Sequence, residues 1–325
     1  MNQQIEQYAK QILAGRLLDR ADIDQLSELS TAHLDDLLYW ANEIRKANFG
    51  NKVKMCSIIP GRMGGCSEDC AFCAQSSYYD TAVDKTPQVL DDDQIMAAAK
   101  EAKQKGVPNF GIVYSGKKVS PDELDRLIAL TRRIKDELGM GVCMSLGVVS
   151  DENMQRLAEA GVVRFNHNLE TSERHFSEVV STHKYEDRVK TIEAGLAAGM
   201  GVCAGGIFGI GETEADRIDM ALELRRLGVD MVPMNFLHPI EGTPLANAEK
   251  MPPREILRIV ALYRFILPKT HLKVAGGRVL NLRDLQSWIF YAGCTAILSG
   301  NYLTTAGRSV EDDVQMLNDL GLEAV

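Results

Sequence analysis

Three closely spaced cysteines have the spacing of an iron-sulfur ligand set. They are Cys66, Cys70 and Cys73, in the segment CSEDCAFCAQSS. Three thiolates on one short loop can bind three irons of a four-iron cluster and leave the fourth iron open to another ligand. A structural zinc site needs a fourth Cys or His, and neither type occurs elsewhere between Gly61 and Thr81. The spacing therefore favours a 4Fe-4S cluster with one open position.

A second group of polar residues lies on segments that we predict to be buried strands. In the segment RFNHNLET, strand alternation puts Asn166, Asn168 and Glu170 on one face, and Asn235 lies in VPMNFLH. A carboxamide both donates and accepts hydrogen bonds, so inward asparagines suit a ligand of amide or urea character. The alternative is that these side chains only satisfy one another inside the fold.

The chain contains seven cysteines, an odd number that suits free thiols and metal ligands better than a disulfide framework. Cys56, Cys143 and Cys203 fall in predicted strands, and Cys294 lies at a predicted helix-to-strand junction. Buried cysteines are common in protein cores, and we assign only packing to Cys294. We also assign structural or supporting roles to three histidines, because none has metal-ligand spacing with another: His183, His238 and His271.

The elements that must position these residues alternate between short β-rich runs and amphipathic helices. We predict eight strands, over 53–59, 109–115, 141–147, 162–169, 201–207, 231–237, 271–276 and 295–299. Helices predicted between them include 121–138, 151–160, 185–198 and 213–227. This alternation predicts an α/β fold, a (β/α)8 TIM-type barrel over residues 49–325 with an N-terminal helical extension over 1–48. An open doubly wound sheet is the alternative.

Composition and charge restrict the function classes. The chain has 325 residues, 45% hydrophobic and 25% charged, and a net charge of -9, which argues against a nucleic-acid-binding surface. No apolar run approaches the length that a membrane span needs. We therefore expect a cytoplasmic protein that binds neither nucleic acid nor membrane.

The cysteine loop resembles the signature of the radical S-adenosylmethionine enzymes, with Phe72 as the aromatic residue before the last cysteine. The segment GGIFGIGE is similar to the stretch that lies near the adenine in that superfamily, through Gly205, Ile207, Gly209 and Glu212. This resemblance implies that the open iron chelates S-adenosylmethionine. It also implies that reductive cleavage releases a 5'-deoxyadenosyl radical, so that the cofactors carry the chemistry.

Within that superfamily, nearly the whole chain resembles the biotin synthases, which insert sulfur into dethiobiotin. The resemblance is carried by segments such as FNHNLETS, VCAGGI, VPMNFLHPIEGTPL, AGGR and YLTT. It implies that Asn166, Asn168 and Asn235 contact the ureido ring of dethiobiotin, with Asn168 also touching S-adenosylmethionine. It further implies three contacts for carboxylate and ribose groups: Glu170 to the ribose hydroxyls, Arg188 to the methionyl carboxylate, and Thr304 with Thr305 to the substrate carboxylate. A flavodoxin or ferredoxin electron donor and a homodimer are also implied.

The sequence departs from this family at its second, sulfur-donating cluster. That auxiliary cluster is held by three cysteines and one arginine, and Cys143, Cys203 and Arg278 match three of these ligands. Gly111 stands where the remaining cysteine is expected, and glycine cannot bind a metal. We hypothesise that Cys56 replaces it, because inward residues of strands one, three, five and seven form one layer in such barrels. The auxiliary cluster would then be a 2Fe-2S or larger unit.

Two other functions remain open at this point. The missing cysteine allows a related radical enzyme that acts on a small ureido or amino-acid-like substrate without inserting sulfur. A third reading is an iron or zinc sensor that uses the cysteine loop alone.

Overall fold

The computed structural model describes residues 1–107, 109–300, 303, 305 and 307–325. The strands that form the barrel wall lie close to the predicted ones, and two short strands, Gln88–Val89 and Glu323–Ala324, were not predicted. The strands are β1 Lys52–Met63, β2 Gln88–Val89, β3 Asn109–Tyr114, β4 Gly141–Ser145, β5 Val162–Asn166, β6 Gly201–Cys203, β7 Gly206–Phe208, β8 Met231–Phe236, β9 His271–Val274, β10 Ala296–Leu298 and β11 Glu323–Ala324.

The parallel strands close into a barrel. Their order is β10-β9-β8-β6-β5-β4-β3-β1, and β1 pairs back onto β10 through residues such as Lys54 with Ala296. The predicted (β/α)8 architecture is therefore confirmed, and the open doubly wound sheet is excluded. In such a barrel the carboxyl ends of the strands and the loops after them form the functional face.

The fifth wall position differs from the prediction because it is split into β6 and β7. A Cβ atom on Gly205 would lie 2.0 Å from the carbonyl oxygen of Pro233 on the neighbouring β8. Only a residue without a side chain allows this close approach of two backbones. The break falls beside the cavity that is described below.

The helices cover the outside of the barrel. They are α1 Gln3–Leu13, α2 Arg20–Ser30, α3 Leu34–Phe49, α4 Asp92–Gln104, α5 Pro121–Leu138, α6 Asp151–Ala160, α7 Glu173–Val179, α8 Tyr185–Ala197, α9 Glu214–Leu227, α10 Pro253–Ile266, α11 Arg278–Leu282, α12 Trp288–Tyr291 and α13 Val310–Asp319. Most of the longer helices begin at a side-chain cap, as at Ser120 before α5, whose hydroxyl accepts from the amide of Glu123. In the described part of the chain, we find no helix with the length and apolar character of a membrane span.

The N-terminal helices pack on the barrel through α10. Helix α10 contacts α2, α3 and the strand β9, and it is buried on nearly all sides, as expected for a helix between two layers. The apolar face of α1, with Ile5 and Tyr8 at its centre, packs against α3. This packing makes the N-terminal segment a flank of the barrel, on its outer surface.

Candidate active site

A cavity of about 360 Å³ opens at the carboxyl ends of the strands. All three loop cysteines, Cys66, Cys70 and Cys73, line it, and so does Cys203 from β6. The inward polar residues of strand β5 and the segment after it line the same cavity: Asn166, His167, Asn168 and Glu170. An adjoining cavity of about 270 Å³ shares several of its walls, including Phe72 and Asn235.

The cysteine loop is held in place by backbone hydrogen bonds. The amide of Cys66 donates to the carbonyl of Gln75 over 3.0 Å, and the amide of Cys73 donates to the carbonyl of Cys70 over 3.0 Å. Asp69, inside the loop, accepts from the backbone amides of Ser181 at 2.9 Å and Thr182 at 3.2 Å. These bonds and those from the two hydroxyl groups lower the pKa of Asp69 to about 2, against the effect of burial. The loop is thus ordered by the chain itself.

Burial favours the protonated form of two of the loop thiols, Cys70 and Cys73. Burial raises the pKa of Cys73 to about 11 and that of Cys70 further still, so metal binding must displace protons from both. Among the described residues, no three His, Cys, Asp or Glu side chains converge on a single ion. The cysteine ligands of a four-iron cube bind different irons and need not converge in that way.

Arg188 and Glu170 form an ion pair beside this loop. Arg188 Nη1 donates to Glu170 Oε1 at 3.3 Å and to the carbonyl of Asn168 at 2.9 Å, and Asn168 Nδ2 donates to Glu170 Oε2 at 3.3 Å. Burial raises the pKa of Glu170, while the Arg188 charge and the Asn168 hydrogen bond oppose that shift. Glu170 also has a left-handed backbone, with φ of 70°. Such strain in a non-glycine residue is typical of functional sites.

The segment after β6 contributes an apolar wall. Ile207 lines the adjoining cavity, where it can lie against a flat ring. Glu212 does not face the cavity; its carboxylate accepts from the amides of Gly209 at 2.9 Å and Ile210 at 2.8 Å, and from Arg217 at 2.8 Å. Glu212 therefore fixes the turn, and Gly205 and Gly209 shape its backbone.

The predicted substrate contacts are only partly brought together. Asn166 lines the main cavity, Thr305 lines the adjoining one, and Asn235 lines both. Thr304 lies outside the described residues. Asn235 also binds the backbone on both sides of its strand, since Nδ2 donates to the carbonyl of Gly206 at 3.2 Å and Oδ1 accepts from the amide of Gly276 at 2.9 Å. One N–H and one lone pair of this carboxamide remain for a ligand.

A layer of four inward residues lies deeper in the barrel. Cys56, Cys143 and Cys203 come from the first, third and fifth wall strands, and Lys273 comes from the seventh. Cys56 packs against a buried cluster of Cys203, Met231 and Ala296, and Lys273 Nζ donates to Cys203 Sγ over 3.4 Å. Burial raises the pKa of Cys143 to about 12, and the positive charges of Arg164 and Lys273 oppose that shift. The pKa of Lys273 is raised despite its burial, because the three thiols favour its charged form.

The expectation that Arg278 is the fourth member of this layer is wrong. Arg278 begins helix α11, after β9 has ended, and it is completely buried. Its Nη2 donates to Asp313 Oδ2 on α13 at 2.7 Å, and both side chains are 0% exposed. Arg278 therefore ties two outer helices together. Lys273 is the cation that hydrogen-bonds a thiol of the layer, and the charge of Arg164 also acts on Cys143 and Cys203.

The position of the missing cysteine is filled by its neighbour. Gly111 on β3 pairs with Ile58 on one side and Cys143 on the other. A Cβ atom at Gly111 would lie 2.9 Å from Cγ2 of Ile58 and 3.2 Å from the carbonyl of Ser57. The side chain of Ile58, which lines the main cavity, thus occupies the space that a cysteine at 111 would need.

Sequence reasoning missed Lys273 and Glu68 and gave His183 only a supporting role. A lysine in HLKV reads as a surface residue, although both faces of a barrel strand are buried and a lysine there needs a partner. Glu68 lines the main cavity with His183. Its position between Cys66 and Cys70 could have indicated a role near the cysteine loop. Cys294 is fully buried, and its thiol hydrogen-bonds the carbonyl of Leu272 at 3.2 Å, as fits a packing role.

Two protein-family models match consecutive parts of the chain. The radical SAM superfamily model matches residues 62–224, and the model of the Biotin and Thiamin Synthesis associated domain matches residues 233–323. The first covers the cysteine loop and the wall through α9. The second covers the strands and helices that complete the barrel.

Similar proteins cover the chain almost from end to end. The biotin synthase of Heliobacterium modesticaldum is 46% identical and covers 98% of this chain and 97% of its own length. The biotin synthase of Geobacter sulfurreducens is 48% identical and covers 98% and 96%. Among solved structures, methylornithine synthase superposes with a TM-score of 0.84 at 22% identity, over 98% of this chain and 97% of that one, which shows the shared fold. The chain belongs to the biotin synthase family of radical S-adenosylmethionine enzymes.

Proposed function

We propose that this protein converts dethiobiotin into biotin by radical-mediated insertion of sulfur, using two iron-sulfur clusters in one barrel. The observation that carries the proposal is the arrangement of six cysteines at two depths. Three line the mouth of the cavity and three lie in a layer below, with Cys203 reaching the same cavity as the loop cysteines. One set suits a radical source, and the other suits a sulfur store.

The residues at the mouth fit a 4Fe-4S cluster with bound S-adenosylmethionine. Cys66, Cys70 and Cys73 provide three thiolates and leave one iron open. Arg188 offers a guanidinium that suits the methionyl carboxylate, and Glu170 and Asn168 offer acceptors and a donor for ribose or amino groups. When bound, these cofactors supply the radical that removes hydrogen from an unactivated carbon. Phe72 and Ile207 provide apolar walls that limit water around the reacting atoms.

The residues of the deeper layer fit an auxiliary cluster of 2Fe-2S type or larger. Cys56, Cys143 and Cys203 provide three thiolates, and Lys273 replaces the arginine of the common family pattern. Three thiolates and bound sulfide concentrate negative charge in a dry interior, where an unpaired charge is costly. The ammonium of Lys273 offsets part of that charge and donates to Cys203.

The substrate would lie between the two cluster sites. Asn166 and Asn235 come from different strands and can hold the two sides of a ureido ring, while Thr305 lies in the adjoining cavity towards which the acid tail would extend. Thr304 is proposed for the same carboxylate on sequence resemblance alone. Rigid strands favour this task, since a radical must meet its hydrogen at contact distance.

Family membership also supports three proposals about the surroundings of the enzyme. We propose that a flavodoxin or ferredoxin donates the electron, that the enzyme is a homodimer, and that it works in the cytoplasm. The seven free cysteines of the structure suit a reducing compartment.

The test is to compare wild-type protein with two triple variants after anaerobic reconstitution. Cys66, Cys70 and Cys73 are replaced by alanine in one, and Cys56, Cys143 and Cys203 in the other. Iron, acid-labile sulfide and Mössbauer spectra are measured, together with the conversion of dethiobiotin when S-adenosylmethionine and dithionite are added. We expect each variant to keep one cluster and neither to make biotin.

Two results would contradict the proposal. Sulfide that disappears entirely when the loop cysteines are removed would mean that no second cluster exists. Wild-type protein that releases 5'-deoxyadenosine with dethiobiotin but forms no carbon-sulfur bond would favour the related radical enzyme without sulfur insertion.

A further inference from the structure

An acid and a histidine join the cysteine loop to Arg188. Glu68 lies between Cys66 and Cys70 in the chain, and its Oε2 is 2.6 Å from Nδ1 of His183. On the other side of the imidazole ring, Arg188 Nε donates to His183 Nε2 at 3.1 Å. Glu68, His183 and Arg188 all line the main cavity.

The hydrogen bonds allow one arrangement of protons in this chain of groups. A guanidinium can only donate, so His183 Nε2 must accept with its lone pair. The imidazole is then neutral and carries its proton on Nδ1, from which it donates to the carboxylate of Glu68. The carboxylate therefore fixes the tautomer of His183, and that tautomer fixes the Nε edge of Arg188.

The remaining contacts leave one edge of the guanidinium towards the cavity. Arg188 Nε is held by His183, and Nη1 is held by the carbonyl of Asn168 and by Glu170. The ring of Phe176 lies under the guanidinium, with Cζ 5.5 Å from the ring centroid. Nη2 makes no hydrogen bond to any of the described residues, and it is available to a ligand carboxylate.

We propose that Glu68 and His183 act as a positioning pair that orients Arg188 for the methionyl carboxylate of S-adenosylmethionine. The inference rests on the proposed function, in which Arg188 binds that carboxylate. The pair links Arg188, which would bind the carboxylate, to the loop that carries Cys66, Cys70 and Cys73. Movement of the loop is thus coupled to movement of Arg188, which would keep the carboxylate-binding group at a constant position relative to the cysteine loop.

The expected effect is a loss of affinity that depends on the ligand carboxylate. An arginine that is not ordered beforehand must be immobilised when the ligand binds, which corresponds to a loss of about 3- to 10-fold in affinity. His183→Ala and Glu68→Ala should therefore weaken binding of S-adenosylmethionine by about this factor. Both should bind decarboxylated S-adenosylmethionine as the wild type does, since that analogue lacks the group that Arg188 holds.

Conservative variants separate positioning from packing. Glutamine at 183 can place an oxygen near the position of Nε2 and accept from Arg188, so His183→Gln should recover most of the affinity that His183→Ala loses. Ser181→Ala is the matched control. The Ser181 hydroxyl donates to the carboxylate of Asp69, so this variant weakens the docking of the segment without touching Glu68, His183 or Arg188.

The experiment measures equilibrium binding of both ligands to anaerobically reconstituted full-length protein, with iron content and thermal midpoint determined for every variant. A penalty that appears with S-adenosylmethionine, vanishes with the decarboxylated analogue and is reversed by His183→Gln supports the pair. An equal loss for both ligands, or a loss in Ser181→Ala as large as in His183→Ala, overturns it. Arg188→Ala distinguishes failure of the proposed carboxylate contact from failure of the positioning pair. If that variant binds S-adenosylmethionine normally, the proposed carboxylate contact itself fails; if it weakens binding while His183→Ala does not, only the positioning pair fails.

Discussion

The replacement of Arg278 by methionine should destabilise the fold without removing the auxiliary cluster. Arg278 and Asp313 form a fully buried ion pair at 2.7 Å. Removal of one partner of such a pair costs about 3–5 kcal/mol, because it leaves a charge in the interior. Arg308 Nε, 3.7 Å from Asp313 Oδ1 and partly exposed, compensates only part of that charge. A chain of 325 residues has an unfolding entropy of about 0.7 kcal/mol/K near the transition, so the thermal midpoint should fall by about 4–7 °C.

The assay is thermal unfolding followed by circular dichroism, together with iron and sulfide analysis of the reconstituted protein. Arg133→Met serves as control, since Arg133 pairs with Glu137 at the surface at 2.8 Å and should change the midpoint little. Lys273→Met, in contrast, should lower the sulfide content and change the thermal midpoint less than Arg278→Met does. An unchanged midpoint in Arg278→Met, with the loss of one cluster's sulfide, would refute the assignment of Arg278 to the helices.

Three further predictions follow from particular contacts. Cys56→Ala should lose about one cluster's iron and sulfide while 5'-deoxyadenosine formation persists; unchanged sulfide would show that this thiol is not a ligand. Gly111→Cys should lower stability by about 1–3 kcal/mol through overpacking, and Ile58→Leu in the same chain, which removes the Cγ2 methyl that would clash, should recover part of it, as read from thermal midpoints; a fully stable Gly111→Cys protein would contradict the packing. Burial, with Lys54 nearby, lowers the pKa of His271 from 6.5 to about 4, so the native state resists protonation. Stability should be complete above pH 6.5 and fall as the pH falls towards 4, and His271→Gln should flatten that part of the thermal-midpoint profile; an equal slope in both proteins would exclude this histidine as the cause.

The barrel could be predicted because its wall is made of short β-rich runs at regular intervals, each followed by a helix with a recognisable cap. Strands such as β3 and β4 were placed within two residues of their observed ends. The break between β6 and β7 was not predicted, because a glycine pair does not reveal how closely the next strand approaches. That distance depends on Pro233, which is distant in the chain.

The site could be predicted where chemistry is local in the chain. The loop cysteines, and Asn166, Asn168 and Glu170, lie together around one cavity as expected. Arg278 was misplaced because the segment AGGR follows the end of β9, and there the chain turns outward into α11 towards Asp313. The ion pair joins residues 35 positions apart, and no local pattern contains that information. Lys273 differs from Arg278, because both faces of a barrel strand are covered and the burial of a lysine on it could in principle have been predicted.

The tight contact between Ile58 and Gly111 restricts how this arrangement of thiols could change into one with a cysteine at position 111. A thiol placed on the second wall strand meets an occupied space, so a cysteine at 111 destabilises the fold unless the side chain at 58 changes as well. A change at Ile58 that comes first lowers this cost. The volume of a neighbouring side chain, as well as the chemistry of the ligands, then influences which set of cysteines a related sequence can use.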